Sequence, residues 1–98
     1  MDQLIKMTPQ ALEDGANYLE SIKSQMLDLA AQLDSKVQEV SSNWEGLSEQ
    51  AFMGNYPDHL RVLKEYMPET ITMLAQKLSG AAQSMHEADS AIASAFRG

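Results

Sequence analysis

Cysteine is absent from this 98-residue chain, which removes a disulfide framework, a thiol nucleophile and every cysteine-based zinc or iron–sulfur site at once. Basic charge is scarce. Lys and Arg number 7 against 14 Asp and Glu, for a formal net charge of -7, so no nucleic-acid-neutralising surface is expected. The few basic residues are also too scattered for an anionic bilayer. Aromatics make up 6% of a chain that is 44% hydrophobic, so the apolar mass is mainly Ala, Leu, Met and Ile, residues that suit helices better than a sheet sandwich. Long apolar runs are missing too. Segments such as Leu29-Ala30-Ala31 fall far below the roughly 20 residues of a transmembrane helix. The start, Met1-Asp2-Gln3-Leu4-Ile5-Lys6-Met7, is acidic at once and broken by Lys6, unlike a Sec signal peptide. Export, if it occurs, uses another route.

What the chain does have is helical periodicity. Thr8-Pro9 predicts a helix start, with the Thr8 hydroxyl capping an orphan N–H and Pro9 in the first helical position; Glu13 and Asp14 are expected to complement the positive helix end. Apolar residues then recur every three or four positions: Leu12, Ala16, Leu19, Ile22, Met26, Leu29, Leu33, Val37, Val40, Trp44. Lys23, Gln25, Asp28, Asp34 and Gln38 occupy the opposite, polar face. Helix one is predicted at about 8–41 and a reversal at 42–47, where Ser41-Ser42-Asn43 and Gly46 collect. A second series runs Leu60, Leu63, Met67, Ile71, Leu74, Leu78, Ala81, Met85, Ala88, Ile92, Ala95, with coiled-coil spacing. Helix two is predicted at about 48–96, with a break near 54–57 at Gly54-Asn55-Tyr56-Pro57 and a kink at Pro68. The fold class is an all-α antiparallel hairpin in a single domain, 1–98.

Folding such a hairpin about Trp44 sets Thr8 beside Gly80 and leaves Ala81, Met85, Ala88, Ile92 and Phe96 without a neighbour, an apolar stripe about 24 Å long at 1.5 Å per residue. Two antiparallel copies cover it by closing a four-helix bundle about a two-fold axis. The expected dimer seam is Leu19, Met26, Leu33, Leu63, Leu74, Leu78, Met85 and Ile92.

Trp44-Glu45-Gly46 is a W-x-G tripeptide at a helix–helix turn near the middle of a chain of about a hundred residues. Together with the Thr8-Pro9 helix start, Phe52 soon after the turn, the apolar hairpin faces and Asp89 near the C-terminus, it resembles the WXG-type (WXG-100, Esx-like, ESAT-6-like) family over nearly the whole chain. The resemblance implies a small helical-hairpin protein exported without a Sec signal by type VII secretion. It also implies a C-terminal export motif, in which an aromatic or His precedes an acidic residue by four positions. Asp89 fills the acidic place, Met85 stands four residues earlier, and His86 is displaced by one. The family pattern further implies that this motif and the Trp44-Glu45-Gly46 turn of the other subunit form a composite signal for a membrane-bound ATPase.

Catalysis is not expected. His86 and Asp89 lie three apart, but with only His59 as a second imidazole and no cysteine they do not close an ordinary zinc site, so neither metal nor cofactor is expected. No serine sits in a strand–turn–helix nucleophile setting and no glycine-rich phosphate loop is present. Met26, Met67 and Met85 belong to the apolar series, whereas Met53 and Met73 lie off it and are the candidates for an exposed contact. The sequence reading is a non-enzymatic secreted effector or interaction protein acting as a homodimer. The alternative is a chaperone-like export adaptor that pairs with a related WXG-type protein or with the helical leader of a larger toxin.

Overall fold

The computed structural model describes residues 7–97, with side chains through Phe96; the acidic start at Met1–Lys6 lies outside the described residues. Helix α1 covers Pro9–Ser42. Thr8 is its N-cap, with an extended backbone, and its Oγ1 accepts a hydrogen bond from the Ala11 N–H at 3.0 Å. Beginning at Pro9 leaves Glu13 and Asp14 in the second turn, where the helix-end field has faded. Their partners are side chains instead: Gln10 donates to Asp14 at 2.9 Å and Ser79 to Glu13 at 3.3 Å. At the other end the Ser42 hydroxyl and the Asn43 amide both donate to the Glu39 carbonyl, at 2.8 and 3.1 Å, which satisfies an acceptor that the ending helix abandons.

The return limb has four pieces. Helix α2 is Leu47–Met53 and α3 is Tyr56–Arg61, with Pro57 in its first turn. A π-helical turn, Val62–Tyr66, follows, and α4 runs Met67–Arg97. The irregularity expected at Pro68 thus takes the form of a π-turn just before it. Pro68 has no N–H to give to the Lys64 carbonyl and its ring crowds that oxygen, and the Met67 N–H reaches back five residues to the Val62 carbonyl.

Helices α1 and α4 pack along a seam of small residues. The buried apolar side chains are Ala16, Ala30, Tyr56, Ala75 and Ala82, with Pro68 beside them. Gly15 lies so close to α4 that a Cβ there would stand 3.4 Å from Leu78 Cδ1. The seam on α4 is therefore Pro68, Ala75 and Ala82, whereas Leu74 is 48% exposed, and Ala81 is exposed too.

The register also differs from a simple fold about Trp44. Pro9 and Glu13 share a cleft with Ala82, Gln83 and His86, so pairing continues to His86 and does not stop at Gly80. The cause is the tip, where residues 47–55 are spent on α2 and the Gly54-Asn55 break before the return limb gets under way. The exposed stretch beyond the paired region shortens to residues 87–96, losing the half-buried Met85 but keeping Ala88, Ile92 and Phe96. The molecule is a rod of 78 × 28 × 19 Å.

Candidate functional site

Three features stand out on this rod. At the tip, Gly46 has φ 112° and ψ -173°, a region essentially reserved for glycine. A Cβ there would meet nothing within 4 Å, so the backbone angle alone, and not lack of room, requires glycine. Its conformation turns the chain into α2 and brings Phe52 back to Trp44, with ring centroids 5.7 Å apart. Phe52 in turn stacks on Tyr56 at 6.5 Å. The Trp44 Nε1–H donates to the Ser48 hydroxyl at 3.2 Å, and the Ser41 hydroxyl bonds the Glu49 carboxylate, tying the end of α1 to α2. Leu47 at 82% exposure and Phe52 at 50% leave this tip apolar and open to solvent; Glu45 is exposed beside them.

Below the tip a polar clamp joins α3 to α1. The buried Tyr56 hydroxyl donates to Asp34 Oδ1 at 2.8 Å; Gln38 donates to the same oxygen at 3.4 Å, and Lys64 Nζ lies 3.7 Å from Oδ2. The Tyr56 hydrogen bond first, then Gln38 and the Lys64 charge, hold the Asp34 carboxyl below its ordinary range. Burial first, and then the Asp34 hydrogen bond and charge, push the Tyr56 phenol up to about 12. Sequence reasoning missed this clamp because Asp34 falls on the polar face of α1. The available signal was a tyrosine directly between Gly54-Asn55 and Pro57. Lys23 likewise leaves the polar face, donating to the Thr72 hydroxyl on α4 at 2.8 Å.

Along one side of the hairpin runs an apolar groove of about 350 Å³, lined by Ile22, Gln25, Met26, Leu29, Ala30, Leu33, Leu63 and Met67. Leu29 is 62% exposed and Met67 39%. Of the sequence-predicted seam, Met26, Leu33 and Leu63 meet in this groove. Leu19, Leu78 and Met85 are half-buried, while Leu74 and Ile92 face solvent. Met73 is exposed and Met53 half-buried.

The C-terminal motif residues sit at the far end. Met85 is half-buried, and His86 and Asp89 are exposed. Trp44 follows the last turn of α1, whereas His86 shares its cleft with Pro9, the first residue of α1. A 34-residue helix separates them by about 50 Å at 1.5 Å per residue. Among the described residues no group of three or more His, Asp or Glu side chains comes together to hold a metal ion, and no helix is long and apolar enough to cross a membrane.

A family model described as WXG100, proteins of 100 residues with WXG, matches residues 4–90. No curated protein shows a significant match. Among solved structures, crystal form I of EsxA from Geobacillus thermodenitrificans is similar, with a TM-score of 0.76 at 27% identity, covering 93% of this chain and 98% of that one. Because the family model runs through both limbs and the glycine-dependent tip between them, the chain belongs to the WXG100 family and is a small protein resembling type VII secretion substrates.

Proposed function

We propose that this chain is a type VII secretion substrate that leaves the cell as a two-fold homodimer and acts outside as a non-enzymatic effector or interaction protein. The observation that carries the dimer is surface. A compact monomer of 10.8 kDa is expected to expose about 5,500 Å², and this chain exposes 7472 Å². The excess, about 1,900 Å² per chain, gives two copies together an amount within the 2,000–5,000 Å² that obligate homodimers bury. The groove supplies the apolar centre such an interface needs.

Antiparallel association also answers the distance between the two signal elements. Within one chain Trp44-Glu45-Gly46 and Met85, His86 and Asp89 lie at opposite ends of the rod; across a two-fold axis the tip of each subunit comes to the C-terminal end of its partner. That arrangement supports a composite surface read by the membrane-bound ATPase of the secretion system.

Sedimentation equilibrium with circular dichroism over a wide concentration range tests the dimer, and a helical species of twice the chain mass is expected. A monomer throughout overturns it. Trp44→Arg tests the signal: a folded variant that is no longer exported supports the reading, and normal export removes it.

One observation favours a second reading. Met85 stands where the family motif has an aromatic or His, and it is half-buried in the hairpin. A chain with so reduced a motif gains from a partner that carries a complete one, which is the export-adaptor role. Co-expression with a toxin's helical leader distinguishes the two, since the adaptor exchanges its own copy for the leader.

A further inference from the structure

The inward apolar positions of the return limb advance by three or four residues everywhere except once, with Thr72 and Ser79 half-buried beside them. Tyr56, Leu60 and Leu63 are followed by Pro68, Ile71, Ala75, Leu78, Ala82 and Met85, all buried or half-buried. The single step of five, from Leu63 to Pro68, spans the π-turn Val62–Tyr66. A π-turn inserts one residue into a helix, which rotates everything beyond it by about 100°. Without the insertion the strict continuation is Met67, Thr70, Leu74, Lys77, Ala81 and Ser84, half of it polar; a rotation of about half that size instead selects Met67, Ile71, Leu74, Leu78, Ala81 and Met85, every one of them apolar.

The sequence thus supports two phases of α4 against α1. One places alanines inside and bulky side chains outside; the other turns the bulky side chains in. The structure takes the first, with Ala75 and Ala82 buried at 4% and 2% exposure and Met67 and Leu74 open at 39% and 48%. Met67 lines the groove, and Leu74, two turns on along the same face, continues its strip.

The choice is not made by apolar patterning, since both series satisfy it. It is made where a regular helix is disallowed. Pro68 cannot donate to Lys64, the Met67 N–H bonds Val62 across the wider turn, and the Thr70 hydroxyl donates to the Tyr66 carbonyl at 2.9 Å.

We propose that Pro68, acting through the π-turn, selects the phase of α4 and so creates the outer strip of Met67 and Leu74 on which a second copy of this chain docks. The proposal rests on the homodimer reading for its occupant. Its phase component stands apart from that reading and is measured separately.

The native cysteine-free sequence makes the test direct. Ala75→Cys and Ala82→Cys report whether the alanine face is inside, and Ala16→Cys, on α1, reports general loosening. Each probe is labelled with a maleimide in three backgrounds: native, Pro68→Ala, and Pro68→Ala with Glu65 deleted, which removes the inserted residue without rotating α4. Association is followed by sedimentation and helicity by circular dichroism.

The expected result is slow labelling of the two α4 probes in the native background and labelling about tenfold faster with Pro68→Ala. The α1 probe stays protected, and the dimer dissociation constant rises about tenfold or more. Deleting Glu65 restores both properties. Unchanged protection in Pro68→Ala overturns the phase assignment. Lost protection with unchanged association overturns the link between phase and docking. Faster labelling that extends to the α1 probe, or that the deletion does not reverse, identifies simple destabilisation and also overturns the proposal. If the native chain is monomeric at every concentration, the homodimer reading and the docking strip fall together, and the labelling pattern alone decides whether Pro68 sets the phase.

Discussion

Replacing Tyr56 by Phe isolates one hydrogen bond. The ring keeps its place, stacked 6.5 Å from Phe52, and only the hydroxyl that donates to Asp34 at 2.8 Å is lost. Hydrogen bonds to charged groups contribute about 1.5–3 kcal/mol. Asp34 retains Gln38 and Lys64 in the variant and is partly open to water, so the lower end applies, about 1.5 kcal/mol. In urea, at fixed protein concentration and with a slope of about 1–1.5 kcal/mol per molar for so small a chain, the midpoint should fall by about 1–1.5 M. The pH dependence gives a second signature. The native phenol is raised to about 12 from an ordinary 10.0, so the folded state holds a proton that the unfolded chain has released. That stability is complete below pH 10 and is lost as pH rises through about 12. Asp34 acts in the opposite sense: its carboxyl is lowered from 3.8, and its contribution is lost as pH falls below that value. The gap between native protein and Tyr56→Phe should therefore be widest between the two limits and close toward each. A gap below about 0.5 kcal/mol at neutral pH, or one that does not narrow in alkali, would refute the clamp as an energetic link between α3 and α1.

Gly46→Ala should cost about 1–3 kcal/mol, all of it backbone strain; thermal melts of synthetic chains should show D-alanine at the same position restoring most of the loss. Gly80→Ala is expected to do the reverse, raising stability by about 0.5–1 kcal/mol, since Gly80 lies within α4 and an added Cβ meets nothing within 4 Å. Met67→Glu should leave the hairpin helical but place a charge in the apolar groove, and sedimentation should show at least about tenfold weaker association.

The first long helix and its Thr8 cap are legible in the sequence because Thr8-Pro9 and the spacing of Leu12, Ala16 and Leu19 each point to one structure. The inner face of α4 is not. Two overlapping series, one through Leu74 and one through Ala75, satisfy the same spacing, and apolar patterning favours the larger side chains. The alanines win because one extra residue enters before Pro68 and because Gly15 and Ala16 on α1 permit a close approach that Leu74 would prevent. The pairing register was hidden for a related reason: counting from Trp44 treats the tip as a point, whereas α2 and the Gly54-Asn55 break occupy real length. Of the site, the tripeptide was visible as a motif, and Gly46 now has a physical cause in its positive φ. The Asp34–Tyr56 clamp showed only through the place of Tyr56 between Gly54-Asn55 and Pro57, since a carboxylate on a polar face carries no sign that a tyrosine on a distant turn will reach it.

The alanine seam has a consequence for how such a chain can change over generations. Ala16, Ala30, Ala75 and Ala82 fix the distance between the two limbs, and a bulky residue such as leucine there pushes them apart. The outer strip of Leu29, Leu33, Met67 and Leu74 makes no such demand on the hairpin. In the proposed homodimer, shape and choice of partner are therefore written in separate residues. There, drift along the strip would move a duplicated copy from pairing with itself to pairing with a sister chain while the hairpin that presents it stays the same.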